Sequence, residues 1–343
     1  MEEGRFSNKI HWFTFFFSIL VIWIHSANAE IYLGRTEKAY FLYRMEDFIG
    51  NVVAQIAVPG FFMISSYLFY RNFSMDKLKI KWDSRIKSVL IPFVAWNFLY
   101  YIGYVAASRI IGLRDVVGKG IVPFNIMTAG EAVLHYTYNY VFWYLYQLIL
   151  LILLAPVIYL MVKRKYRAIA AAALLLFAIH KGFRLIHLNL DALLYYGTAA
   201  FFAVQEKKAA EGRWNRKRME AGAAMAGAGV LCLIMSEDGL RVVFVVLFRL
   251  LLPLSLWLMV NEEKLPQTKA WMKDTFFLYA VHFAIVRLIN KTGAEIFPGI
   301  EAVPLILYIS MPAICIIVSN GLAVLMKNYC YPFWTLLTGG RNR

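Results

Sequence analysis

Residues 10–28 read IHWFTFFFSILVIWIHSAN, without one Asp, Glu, Lys or Arg. A helix of about 20 mostly apolar residues spans the hydrocarbon core of a bilayer, so this stretch is expected to cross a membrane. Similar runs recur at 48–70, 89–108, 139–162, 168–187, 190–205, 221–236, 241–260, 275–290 and 303–326. Together they use most of the 343 residues and leave no room for a separate soluble catalytic domain. The expectation is one all-α polytopic membrane domain over 1–343, with about ten transmembrane helices. The longest gap between spans is 109–138.

Composition points the same way. The chain is 61% hydrophobic and 17% charged, against about 45–50% and 25% for a soluble domain. Its net charge of +15 would suggest nucleic acid in a soluble protein. Here the loops account for it. With the N-terminus inside, 24 of the 36 Lys and Arg fall in cytoplasmic segments, 8 fall outside and four lie within spans. Basic loops face the cytoplasm, so both termini are expected there. Membrane lipid, not nucleic acid, is the expected surroundings. The three cysteines, Cys232, Cys315 and Cys330, have no CxxC spacing, so neither a metal site nor a disulfide framework is expected. Ala27, Asn28 and Ala29 resemble a small-residue cleavage site. Glu2 and Glu3, and the Trp12, Trp23 and His25 within the run, are unlike a leader. The run is therefore read as a retained first span.

Ionisable groups inside a membrane are costly and mark function by default. Lys181, Arg184, Arg249 and Arg287 fall within the expected spans, whereas every acid falls in a loop or at a span end. Cations without acids call for an anionic ligand and argue against a proton-coupled pump. Snorkelling to water is the competing account for Arg184 and Arg287. His25 lies near the outer end of the first span and His282 lies mid-span. His180, Arg184 and His187, spaced i, i+4 and i+7, are expected on one helix face at the level of His25. They are substrate-binding candidates there, or else an interfacial polar stripe. Gly222, Gly227 and Gly229 read as a close-packing face. Pro92, Pro156, Pro253 and Pro312 are candidate kinks.

Several segments, in this order, resemble the membrane acyltransferase family 3. They are Val21-Ile22-Trp23-Ile24-His25 and Val58-Pro59-Gly60-Phe61-Phe62-Met63-Ile64-Ser65-Ser66-Tyr67-Leu68. Next come Arg85-Ile86-Lys87-Ser88-Val89-Leu90-Ile91-Pro92 with Trp96 beyond, and Phe142-Trp143-Tyr144-Leu145. Tyr195-Tyr196-Gly197 and Phe277-Leu278-Tyr279-Ala280-Val281-His282 complete the set. The resemblance runs from about residue 10 to 325. Two positions depart from it: Thr14 stands where the family places Arg or Lys, and Ser66 where it places Gly.

The resemblance implies an integral-membrane O-acyltransferase of the bacterial plasma membrane. Acyl-CoA, with acetyl-CoA favoured by family habit, would be the cytoplasmic donor. The acceptor would be a hydroxyl of a cell-surface or lipid-linked glycan. His25 and His282 are the catalytic candidates, histidine being suited to base catalysis near neutrality. Arg85 and Lys87 would meet the donor's phosphates, and Arg249 would replace the cation absent at Thr14. A transporter or flippase for an anionic glycan, and a catalytically degenerate family member, are the alternatives.

Overall fold

The computed structural model describes residues 2–114, 118–237 and 240–340, and among these it is helical with no strand. Arg341 and Arg343, counted above among the cytoplasmic cations, lie outside the described residues. The helices are α1 (Glu3–His25), α2 (Ala29–Leu33), α3 (Glu37–Phe48), α4 (Ala57–Tyr70), α5 (Leu78–Arg85), α6 (Ile91–Ala107), α7 (Ile126–Leu134), α8 (Trp143–Leu153) and α9 (Ala155–Val162). They continue as α10 (Lys165–His180), α11 (Leu190–Gln205), α12 (Lys207–Glu211), α13 (Arg216–Ile234), α14 (Arg241–Met259), α15 (Thr275–Ile296), α16 (Ala302–Tyr329) and α17 (Tyr331–Thr338).

Among the described residues, five helical stretches are long and apolar enough to cross a membrane: Glu3–Leu33, Glu37–Tyr70, Met75–Ala107, Arg241–Met259 and Ala302–Tyr329. A sixth arises if Tyr140–Leu153 and Ala155–Val162, bent by 67°, act together. Pro156 sits in the first turn of α9, where its missing N–H costs nothing, and the chain bends just before it. Pro92 likewise begins α6, whereas Pro253 and Pro312 are interior to their helices. The other expected spans are helical but shorter or more polar. At 1.5 Å per residue, the 16 residues of α10 or of α11 reach about 24 Å, short of a 30 Å core.

The chain forms two compact units. The first comprises the segments through Phe17, Gln55–Asp83 and Gln147–Met272. In it α4 packs on α11, where Ser66 Oγ donates to Tyr196 O at 2.6 Å. The family position held here by Ser66 thus binds backbone. Helices α13 and α14 pack closely because Gly222 and Gly229 carry no side chain. A Cβ at Gly222 would lie 2.9 Å from Ser255 O, and one at Gly229 would lie 2.3 Å from Leu252 Cδ2. Gly227 faces open space, so the expected packing face holds at two of its three glycines.

The second unit comprises Ser18–Ala54, Ser84–Tyr146 and the chain from Lys273 onward. Its apolar core includes Ile22, Leu278, Val286, Met311 and Cys315, from α1, α15 and α16. Trp96 of α6 donates to Leu337 O at 3.0 Å, tying α17 to it.

Candidate active site

All elements of the candidate site belong to the second unit. His25 is the last residue of α1. The helix stops there because the next residues find other partners. Ser26 Oγ turns back to Ile22 O at 2.6 Å. The N–H groups of Asn28 and Ala29 donate to Glu46 Oε1 of α3, at 3.0 and 3.2 Å. Asn290 of α15 closes the corner. It donates to Ser26 O and accepts from Asn28 Nδ2, both at 3.2 Å. Ser26, Asn28, Ala29, Glu46 and Asn290 are all buried. The Ala27–Ala29 stretch that resembles a cleavage site is this folded corner.

Glu46 corrects the expectation that no acid is buried. The apolar run was read as beginning at residue 48, but helix continues from Glu37 through a π turn at Ile49–Val53 and carries Glu46 inside. A second buried acid, Glu262 of the first unit, pairs with buried Lys9 at 3.6 Å.

The corner leaves the half-buried His25 ring facing α15 and the segment before α8. His25 Nδ1 is 2.7 Å from the Tyr140 hydroxyl. Its ring centroid lies 5.4 Å from that of His282 and 5.7 Å from that of Phe283. The two expected catalytic histidines are therefore neighbours. His282 is fully buried, and its Nδ1 lies 2.6 Å from Tyr279 O. A carbonyl only accepts, so Nδ1 carries the proton and Nε2 presents its lone pair. That Nε2 has no hydrogen-bond partner among the described residues.

Aromatic packing holds the segment that carries Tyr140. Tyr279 Oη donates to Val141 O at 2.6 Å, Phe142 stacks on Tyr279, and Tyr140 meets Phe283 edge-on at 4.7 Å. Asn139, just before Tyr140, is completely buried, and neither of its side-chain polar atoms has a partner among the described residues. Leaving a buried amide unsatisfied costs about 1–3 kcal/mol, which marks Asn139 for explanation. Arg287, one turn beyond Phe283, donates to Tyr104 Oη at 3.0 Å and acts electrostatically on Tyr140. Tyr140, Asn139 and Glu46 escaped sequence reasoning, whereas Arg287 is one of the four cations read there as embedded. The signal available for Tyr140 was its place two residues before the Phe142–Leu145 motif.

The remaining candidates are placed elsewhere. His180, Arg184 and His187 do not share a helix face. Helix α10 ends at His180 because Gly182 adopts φ 68°, a conformation that favours glycine. Phe183 N donates to Ala178 O and Gly182 N to Ile179 O, the double bond of a Schellman stop. His180, Lys181, Arg184 and His187 are exposed. Two of the four cations expected inside spans, Lys181 and Arg184, therefore lie beyond the end of α10. Arg249, in the first unit, is half-buried beside Tyr195, with its Nε unpartnered among the described residues. Thr14 Oγ1 donates back to Ile10 O and His11 O.

Arg85 and Lys87 belong to the second unit, where α5 passes into a π turn at Ile86–Leu90. Gly339, at φ 67°, backs this turn. A Cβ there would come within 2.7 Å of Lys87 O. Lys87 is exposed and Arg85 half-buried. Among the described residues no three His, Cys, Asp or Glu side chains gather as a metal site.

At the end of α4 in the first unit, Arg71 bonds both Glu3 and Glu211, at 2.6 and 2.7 Å. Tyr67 Oη also donates to Glu211 at 2.6 Å. Burial opposes ionisation of Glu211, but the Arg71 and Tyr67 hydrogen bonds outweigh it and hold the carboxyl below its ordinary value.

A family described as an acyltransferase domain matches residues 8–337, nearly the whole chain. No curated protein and no solved structure matches it.

Proposed function

Because this chain belongs to the acyltransferase 3 family, we propose that it moves an acyl group, acetyl in the first instance, from cytoplasmic acyl-CoA to a hydroxyl of a cell-surface or lipid-linked glycan. The observation that carries the reading is the His25–Tyr140 hydrogen bond beside His282. On this account the chain lies in a bacterial plasma membrane, crosses it about ten times and keeps both termini inside. The alternating basic loops support that topology.

Acyl transfer from a thioester needs a base for the attacking hydroxyl, donors for the carbonyl oxygen, and exclusion of water. His25 is the base. When its Nδ1–H donates to Tyr140 Oη, its Nε2 lone pair is free to take the hydroxyl proton. The alkoxide attacks the thioester carbon, the C–S bond breaks, and the thiolate recovers the proton. In that tautomer the Tyr140 hydroxyl is the acceptor, and its bond to Nδ1 orients the ring. His282 presents a second unoccupied lone pair beside it. The unpartnered amide of Asn139 is suited to donate to the developing oxyanion, and Arg287 adds positive charge. Arg85 and Lys87 are the cations assigned to the donor's phosphates.

Labelled acetyl-CoA supplied to membranes containing the protein tests the reading. Alkali-labile label on glycan, absent with His25→Ala, supports it. Acylation indifferent to His25, together with failed glycan export, would support a transporter instead.

A further inference from the structure

Glu46 is a buried carboxyl group on a helix of an apolar chain, and it makes no ion pair among the described residues. Such a group is expensive to keep. Among the described residues its carboxyl oxygens accept at one place, from the N–H groups three and four residues beyond His25. Asn290 bonds the same corner from the other side, through Ser26 O and Asn28 Nδ2. It also stands two turns beyond His282 on α15. One amide thus ties the end of the helix carrying His25 to the helix carrying His282. Tyr32, in the short helix after the corner, seats its hydroxyl against Gly293 of α15. A Cβ there would fall 2.0 Å from that oxygen.

We propose that Glu46 and Asn290 are positioning residues: they clasp the Ser26–Ala29 corner and so set the His25 ring against Tyr140 and His282. Neither needs to touch substrate. The inference rests on His25 being the working base, but the clasp itself is testable without turnover. Bonds to the corner rather than to the ring predict an effect on placement and not on substrate affinity. A misplacement of about 1 Å costs about 100-fold in rate.

Glu46→Gln keeps an oxygen where Oε1 accepts both N–H groups, whereas Glu46→Ala removes both acceptors. Asn290→Leu breaks the tie to α15. The first measurement is the rate at which diethyl pyrocarbonate modifies His25, read by peptide mass spectrometry on the purified full chain. The second is kcat and KM with labelled acetyl-CoA. The expected result is faster modification of His25 in Glu46→Ala and Asn290→Leu. Their kcat falls by about 100-fold with KM within about twofold, and Glu46→Gln restores kcat to within about tenfold of wild type. Unchanged His25 modification in well-folded Glu46→Ala and Asn290→Leu would overturn the clasp. If Glu46→Ala does not fold, Asn290→Leu and Glu46→Gln decide the matter by the same readouts. A wild-type protein that transfers nothing from acetyl-CoA would defeat the reading of function for that donor. The modification rates would still decide the clasp.

Discussion

At the scale of single residues, the account turns on which groups touch His25. Tyr140→Phe removes only the hydroxyl 2.7 Å from Nδ1 and keeps the ring packed on Phe283. It is expected to lower kcat by about 10–100-fold with little change in thermal stability, measured by turnover and melting of the same preparation. Asn139→Ala removes the proposed oxyanion donor and is expected to cost about 100-fold or more in kcat. Because the native amide is buried without a partner, its removal should not destabilise the fold, unlike loss of a satisfied buried amide. His25 and His282 were legible as sequence because each ends a motif in an apolar run. Tyr140 was not, since it is one of 21 tyrosines in a chain whose membrane interfaces are expected to carry them. Glu46 was hidden by the hydropathy pattern itself: an apolar window starts after the last acid, Asp47, and so leaves Glu46 beside it in a loop.

At the scale of elements, helical spacing proved informative only where the helix continues. His282, Val286 and Asn290 share a face of α15 and all three are buried. His180, Arg184 and His187 have comparable spacing but straddle the Gly182 stop, which a spacing argument does not see. Glycine packing was better legible. Gly222→Val would drive its side chain into Ser255 O on α14 and is expected to destabilise by about 1–3 kcal/mol. Gly227→Ala meets open space and should be near neutral. Melting temperatures of both variants in one detergent check the contrast. A comparable loss from each would mean that α13 and α14 do not pack through the glycines.

At the scale of the whole molecule, charge does two separate tasks. The excess of basic residues in alternate loops supports an orientation, while ion pairs close the ends of helices. In the first unit Arg71 joins Glu3 of α1 to Glu211 of α12. The carboxyl of Glu211 is held below its ordinary value, so its stabilising contribution is fully present above the unfolded carboxylate range, about pH 4.3. It is lost as pH falls through the lower folded value. Melting followed from neutral pH downward should therefore show a smaller acid-induced fall in Glu211→Gln than in wild type. Identical pH profiles would show that the pair contributes nothing.

The +15 charge and 61% hydrophobic content made a polytopic membrane protein legible at once. They also pointed to embedded cations. The structure exposes two of those, Lys181 and Arg184, and builds its candidate centre on His25, His282 and Tyr140, with a third, Arg287, acting on Tyr140. That centre makes one demand on chemistry, that His25 do the work. The direct measurement uses purified protein in proteoliposomes given labelled acetyl-CoA and glycan acceptor, comparing wild type with His25→Ala and His25→Gln. The account predicts matched release of free CoA and formation of acylated glycan in wild type, with both lost in the two variants while they remain folded. Transfer at the wild-type rate in folded His25→Ala would contradict it.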